Sequence, residues 1–466
     1  MNKKILFFCF LFVGLVTHLY IAIAFQSRAW IDELWAVLNP AYRLLTGTGF
    51  LDPNDWNPQF PVRTWLTPGL LFIYMKFLQV IGISNGLIVL PSVRALTSLV
   101  SFLSFICFSF FLSKKLSLKE KPWLPLLVLL FTPEFIHFST TADLSAWGIP
   151  PLLFGLALLF FEEENTKPNL KTRLGCCLIT LSALIRFQFG VFPLTCMGWL
   201  FIKKQKRKAV ELCCIGTGFL FLDFLLNAKI NGTLQIPILN YFLVNTAHGR
   251  ASGFGVSPFY IAFEFLWRWC TEPVFLVLCL FAYFSFRRMP FLTAISLGFC
   301  LIHAFIGHKE YRFFYGPAVL LVALGSTSFQ KWAERKTKFS QIILIGFLIS
   351  FFSFSFWRGT KKVAWRDYEI PSKLETIVGT MPDIKGLVTY GWGGIYSGGN
   401  YTLYRPLPYV FAEKKEDLPK MNLNLAQFNY VISPQEETPC QEIIQTQSGA
   451  NLLRCTNEEL QDLFSK

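Results

Sequence analysis

Charge is scarce in this chain. Of 466 residues only 15% are Asp, Glu, Lys or Arg, while 53% are hydrophobic and the mean hydropathy is +0.45. That balance excludes the set of soluble domains the length would otherwise suggest. The 12 cysteines form no Cys-x-x-Cys pair and no Cys/His spacing suited to a metal. Those inside apolar runs, such as Cys107, Cys176, Cys213 and Cys300, read as small buried hydrophobes. No internal repeat or low-complexity tract is present, so the pattern of a repeat-built transporter is missing. Acidic residues are fewer than basic ones, 29 against 43. The excess positive charge lies in short loops between apolar runs rather than on one face, so nucleic acid is not an expected partner.

What is abundant is apolar sequence in lengths suited to a bilayer, which takes about 20 residues per helix. Candidate spans are 5–24, 88–112, 123–138, 146–161, 174–186, 187–202, 209–226, 272–286, 290–307, 314–329 and 339–356. This predicts a polytopic α-helical membrane protein of about 11 transmembrane helices. The first span follows Lys3 and Lys4 like a signal peptide, but its apolar core exceeds the roughly 7–15 residues of a signal, and it reads as a retained helix. Basic residues follow alternate spans: Lys114, Lys115, Lys119 and Lys121; Lys167, Lys171 and Arg173; Lys203 to Lys208; Arg287 and Arg288; Lys331 to Lys338. All fall on the cytoplasmic side if residue 1 does. The rule holds only if the apolar stretch 66–84 does not cross, which makes 25–87 one long external loop.

Within that loop Leu34, Leu38, Tyr42 and Leu45 recur at helical spacing, predicting an amphipathic juxtamembrane helix that starts just after Asp32 and lies on the bilayer. A second external segment, 227–271, is rich in Asn, Gly, Pro and aromatics, as expected of irregular backbone lining a cavity. After 356 the composition becomes polar and alternating, as in Gly386 to Tyr390 and Tyr430 to Ile432. We read 1–356 as a membrane domain and 357–466 as a small external α/β domain. Cys440 and Cys455 both fall in this tail and can pair if it lies in an oxidising compartment. Asn231-Gly232-Thr233 and Asn400-Tyr401-Thr402 are glycosylation sequons.

The densest polar signal is His308-Lys309-Glu310-Tyr311-Arg312-Phe313, between two apolar runs. Charges are expensive to keep in such a position. Asp32-Glu33 follows the first span, and Arg63, Asp143, Arg186 and Arg250 also fall at external helix ends. A carboxylate facing several cations suits transfer of a group from a lipid-linked phosphate to a hydroxyl. The carboxylate takes the acceptor proton, and Arg and Lys stabilise the charge growing on the departing phosphate. Plainer readings stand beside this one. Asp32 and Glu33 suit a helix N-terminus, the 308–313 cluster suits an ion-paired turn, and Asp143 and Arg186 suit solvated helix ends. His18, His248 and His303 read as packed or interfacial. A transporter is the rival class, but here the charges sit at helix ends rather than at mid-membrane.

The motif His308 to Phe313 resembles the His-Lys-Glu-x-Arg-Phe signature of glycosyltransferase family 22, the GT-C mannosyltransferases of the GPI-anchor and N-glycan lipid pathways. Asp32-Glu33 is similar to that family's Pro-Asp-Glu element, and Arg63-Thr64-Trp65-Leu66-Thr67-Pro68 to its Arg-Ser-x-Leu-x-Pro. Arg186 stands where the family has Ile-Arg-Pro, and Pro237, Asn240, Tyr241 and Asn245 resemble its long Asn/Gly/Pro loop. The likeness covers roughly 25–330.

The resemblance implies a GT-C-type bundle, a dolichyl- or polyprenyl-phosphate sugar donor, most often mannose, a glycan or glycolipid hydroxyl as acceptor, inversion at the anomeric carbon, and neither cofactor nor metal. It implies Asp32 as base, or Glu33 if the register differs by one, with His308, Lys309 and Arg312 at the donor phosphate and Glu310 orienting them. Arg63, Arg186, Asp143 and Asn240 complete the expected substrate-binding set. Two departures stand out. Trp30-Ile31 replace His-Pro before Asp-Glu, and Thr140-Thr141-Ala142-Asp143 replaces Arg-Thr-x-Ser-Asn. They point to a non-standard acceptor, while the compact length and the extra external domain fit a bacterial relative, in the inner membrane with its site on the periplasmic face; a eukaryotic source would place it in the endoplasmic reticulum. Another lipid-linked aminosugar, pentose or glucose remains the alternative donor.

Overall fold

The computed structural model describes residues 3–24, 32–49, 51–52, 55–160, 168–269, 272–361, 369–391, 399–412, 414–421, 423–434, 439–446 and 450–465. Trp30, Ile31 and Lys167 lie outside them. Helices overlap each of the eleven expected spans. Among the described residues, five helices are long and apolar enough to cross a membrane, or up to seven if each bent pair is one span. These make the chain a multi-pass membrane protein.

One expected span is not a single helix. The stretch 123–138 breaks at Thr132 and Pro133 into Trp123–Phe131 and Pro133–Ser139. Thr132 takes the extended conformation that a residue before proline prefers. The second piece then meets Leu144–Leu159 at 99°, so the chain turns sharply between the two. The helix Leu66–Val80 has 15 residues, shorter than a straight crossing at about 1.5 Å per residue requires.

The core holds together by close helix packing. Leu144–Leu159 and Leu170–Ile185 meet where Gly155 faces Gly175, and a Cβ on Gly175 would come within 2.7 Å of the Leu159 backbone nitrogen. Only glycine permits this approach, the usual device of membrane helix pairs. His18 is buried and meets the Leu130 carbonyl at 3.1 Å and Ser139 at 3.2 Å, while His303 stacks on Phe299. Both are packed, as expected.

The stripe after Asp32 is not laid on the bilayer. Glu33–Leu38 forms a wide π-helical turn that continues as Asn39–Thr46. Leu34, Val37, Leu38 and Tyr42 pack against Leu71, Met75, Val89 and Val93 of the helices Leu66–Val80 and Gly86–Lys115. The apolar face is covered by protein because the neighbouring segment folds back as a helix over it.

Residues 369–465 build a five-stranded sheet with order β2-β1-β3-β5-β4, where β1 is Leu387–Tyr390, β2 Tyr409–Ala412, β3 Tyr430–Pro434, β4 Gln441–Gln445 and β5 Ala450–Arg454. β2, β1 and β3 are parallel, and β5 runs antiparallel to both β3 and β4. Cys440 and Cys455 are disulfide-bonded. The tail is seated on the membrane part. The Tyr401 backbone nitrogen donates to Asn39 Oδ1 at 3.1 Å, and the Tyr404 ring meets Tyr42 at 5.4 Å. Helix Lys338–Lys361 runs past residue 356, where the tail was expected to begin.

Candidate active site

A cavity of about 1000 Å³ opens beside Asp32. Its polar end is lined by Asp32, Asp55, Arg63, Arg250, His308, Glu310 and Arg312, and its other end by Leu184, Val191, Leu194, Met197, Leu212 and Leu220 from three packed helices. A charged head and an apolar limb thus share one space.

Asp32 does not cap the helix it opens; its side chain makes no capping hydrogen bond. It turns to arginines instead. Arg312 Nη1 lies 2.9 Å from Asp32 Oδ2 and Arg63 Nη2 3.5 Å from Oδ1. Burial alone would raise the Asp32 pKa, but Arg312, Arg63, Arg186 and Arg250 together outweigh it and bring the carboxyl down to about 2. Asp55 holds two of these cations, meeting Arg63 Nε at 2.9 Å and Arg250 Nη1 at 3.0 Å.

The 308–313 segment splits its side chains between two environments. Residues 308–310 are non-helical, and Glu310 is extended at φ −124°, ψ 146°, so neighbouring side chains point to opposite sides. His308 Nε2 meets Glu310 Oε1 at 2.9 Å and Glu310 Oε2 meets Arg312 Nε at 2.5 Å. His308 Nδ1 donates to the Gly255 carbonyl at 3.1 Å. Acceptors at both ring nitrogens favour the imidazolium, and the bond to Glu310 raises the His308 pKa. Burial opposes ionisation of Glu310, but His308 and Arg312 prevail and lower its pKa.

Five expected site residues, Glu33, Lys309, Asn240, Asp143 and Arg186, lie outside the cavity lining. Glu33 is fully buried and pairs in bidentate fashion with Arg94, Oε2 to Nη2 at 2.7 Å and Oε1 to Nε at 2.8 Å, while accepting from the Ala142 nitrogen at 2.9 Å. It does not line the cavity. Lys309, on the far side of its extended segment, donates to the carbonyls of Ser257 at 2.8 Å and Ile306 at 2.6 Å. Its ammonium fastens the turn rather than lining the cavity. Asn240 donates to the Pro61 carbonyl at 3.1 Å and so ties its loop next to Arg63.

Asp143 and Arg186 are neither solvated nor at the cavity wall. Asp143 Oδ1 accepts from the Ser145 nitrogen at 2.7 Å, capping its helix, and lies 3.8 Å from Arg186 Nη1. Its Oδ2 is 4.0 Å from Arg312 Nη1. The pair therefore backs Arg312 from behind. Sequence reasoning passed over Arg94 and Asp55. A lone arginine in the apolar run 86–112 was the available signal for the first; nothing local marks the second.

The chain is 26% identical to the mannosyltransferase APTG1 of Arabidopsis thaliana over 67% of its own length and 56% of that protein. It is 22% identical to GPI mannosyltransferase 3 of Debaryomyces hansenii over 68% and 54%. It thus spans about half the length of the curated relatives it matches. Its fold matches ArnT from Cupriavidus metallidurans, solved with undecaprenyl phosphate, at a TM-score of 0.58 and 8% identity, covering 96% of this chain and 97% of that one. An oligosaccharyltransferase of Archaeoglobus fulgidus matches at a TM-score of 0.55, with 10% identity over 95% of this chain and 73% of that one. These are GT-C glycosyltransferases, and the likeness carries the expected GT-C-type helical fold, though not the count of about 11 spans. Because the match to the family described as Alg9-like mannosyltransferase runs over residues 5–365 and takes in both the Asp32 segment and the 308–313 cluster, the chain belongs to that family.

Proposed function

We propose that this protein transfers a sugar, mannose by preference, from a polyprenyl- or dolichyl-phosphate donor to a hydroxyl of a glycan or glycolipid acceptor, on the external face of the membrane. The observation that carries this reading is the placement of Asp32 and its arginines at the polar end of a cavity whose other end is apolar. The apolar limb suits a prenyl chain, and the arginine group suits its phosphate.

In this reaction Asp32 takes the proton of the acceptor hydroxyl. The oxygen attacks the anomeric carbon from the face opposite the phosphate, the bond from that carbon to the phosphate oxygen breaks, and configuration inverts. The bond pair leaves with the phosphate, which gains one negative charge as it passes from diester to monoester. Arg312, Arg63, Arg250 and the His308 imidazolium are the groups that would offset it. A carboxylate held at about 2 is ionised but weakly basic. A bound phosphate competes for Arg312 and Arg63, which raises the proton affinity of Asp32 as the donor binds.

Mannose rests on the family. The undecaprenyl phosphate of the ArnT structure and its whole-chain fold match favour a bacterial prenyl carrier, and they keep another lipid-linked sugar as the second reading. The test is release of free prenyl phosphate from radiolabelled polyprenyl-phosphate-mannose by membranes holding the wild type, Asp32→Asn or Arg312→Ala, with a lipid and glycan extract as acceptor. Turnover that both substitutions abolish at equal expression supports the assignment. Untouched mannose with turnover of another lipid-linked sugar moves it to the second reading, and no consumption of any such donor overturns both.

A further inference from the structure

The helix Lys206–Asn231 has an apolar outer surface, with Phe221, Leu222 and Leu225 exposed. Yet two of its buried residues near the external end are polar, Asp223 and Asn227. An ionisable residue inside an apolar helix is expensive there and normally has a task. Asp223, Asn227 and Asn231 are spaced four apart, so they form one row on one face.

All three grip the segment that follows Arg63. The Thr64 hydroxyl donates to Asp223 Oδ1. The Trp65 backbone nitrogen donates to Asn227 Oδ1 at 3.3 Å, and its indole Nε1 to Asn231 Oδ1 at 2.8 Å. Asn227 Nδ2 donates back to the Asp223 carbonyl at 2.6 Å, which fixes its own amide. Thr64 Oγ1 also accepts from the Leu66 nitrogen at 3.1 Å, starting the helix Leu66–Val80. The contact continues toward Asp32: the Trp65 ring lies 4.4 Å from Trp56, and Trp56 Nε1 donates to the Trp35 carbonyl at 3.0 Å.

We infer that Asp223, with Asn227 and Asn231, is a positioning residue: the row sets the backbone of Thr64 and Trp65 and thereby holds the Arg63 guanidinium beside Asp32 and Asp55. The inference rests on the transfer reading above. The same helix walls the apolar limb of the cavity through Leu212, Gly216 and Leu220. The helix that would meet the prenyl chain thus also sets the arginine that would meet its phosphate.

The task of Asp223 is to accept a hydrogen bond, not to carry charge. Asp223→Asn keeps an acceptor for Thr64, and Asp223→Leu removes it. The experiment compares these two variants, Arg63→Ala and the double variant Arg63→Ala/Asp223→Leu in donor-dependent prenyl phosphate release across pH. In parallel, modification of Arg63 by phenylglyoxal is read by peptide mass spectrometry. Displacing a charge-stabilising group by about 1 Å lowers turnover roughly a hundredfold. Asp223→Leu is therefore expected to lose about tenfold to a hundredfold in kcat and to label faster at Arg63. Its acid limb moves upward, because Asp32 loses a neighbouring cation.

Asp223→Asn stays within about twofold of wild type by the same argument, and the double variant is no worse than Arg63→Ala alone. Equal loss in Asn and Leu variants, additive losses, or unchanged Arg63 labelling would overturn the inference. If the wild type consumes no lipid-linked sugar, the transfer reading fails, while Arg63 labelling still decides the positioning. Should Asp223→Leu not accumulate, Asn227→Ala carries the same expectations.

Discussion

Arg312 Nη1 lies 2.9 Å from Asp32 Oδ2, and the same guanidinium meets Glu310 Oε2 through Nε at 2.5 Å. One side chain therefore joins the acid that opens the helix after the first span to the motif between two late helices. Behind it Asp143 and Arg186 form a buried second row. Arginine suits this place because its planar fork serves several carboxylates at once, which a lysine ammonium does not.

Asp32→Asn keeps the shape and removes the proton acceptor. Loss of a general base lowers turnover by about a hundredfold to ten-thousandfold. The check is prenyl phosphate release at saturating donor, with donor affinity unchanged or improved because Arg312 and Arg63 are freed.

The Asp32 carboxyl, brought down to about 2 from 3.8, has a folded value below its unfolded one. Its contribution to stability is present above about pH 4 and is lost as the pH falls through about 2. Turnover should therefore show no acid limb from Asp32 near neutrality in the free enzyme. Replacing Arg312 with alanine removes the strongest of the opposing charges and moves that limb upward in a kcat/KM profile.

Glu33 and Arg94 should govern folding rather than chemistry. Removing one partner of a buried pair costs about 3–5 kcal/mol, whereas replacing both with apolar residues is often neutral. Glu33→Ala is expected to lower the thermal midpoint and yield, and Glu33→Leu/Arg94→Met to recover much of both. Detergent-solubilised melting curves read this directly.

Lys309→Ala is expected to weaken the 306–310 turn, since its ammonium serves two backbone carbonyls. Leaving a buried acceptor unpaired costs about 1–3 kcal/mol. The signature is a lower melting temperature with donor KM little changed, in contrast to Arg312→Ala, whose loss falls on turnover.

The Cys440–Cys455 bridge closes a loop with a sequence separation of 15, for which chain entropy gives about 3 kcal/mol. Reduction or Cys440→Ser should open residues 369–465 to protease first. A thiol-alkylation shift on cells would show the pair oxidised, as an external tail requires.

The sequence revealed the site's neighbourhood but not its facing. His308, Glu310, Arg312, Asp32 and Arg63 stood out because charge at apolar helix ends is rare, and they do converge. Choosing between Asp32 and Glu33 needs the direction of a helix, since adjacent residues point about 100° apart. Lys309 turns away from the cavity because the motif is extended, so its odd member faces away from the even ones. Arg94 and Asp223 are not legible because each is defined by a partner far along the chain, and Asp55 because it bridges the nearby Arg63 to the distant Arg250. The stripe on Leu34, Leu38 and Tyr42 reported apolar surroundings correctly, but could not distinguish a covering helix from lipid.

The bond from the Tyr401 nitrogen to Asn39, with Tyr404 pressed on Gly86, ties the end of the chain to the helices that carry Asp32 and Arg94. Gly86 leaves no room there, for a Cβ would stand 2.7 Å from that of Tyr404. Tyr401 and Tyr404 thus act as a keystone: cutting the chain after Lys361 is expected to unseat the helix on which Asp32 stands rather than to yield a minimal catalytic unit.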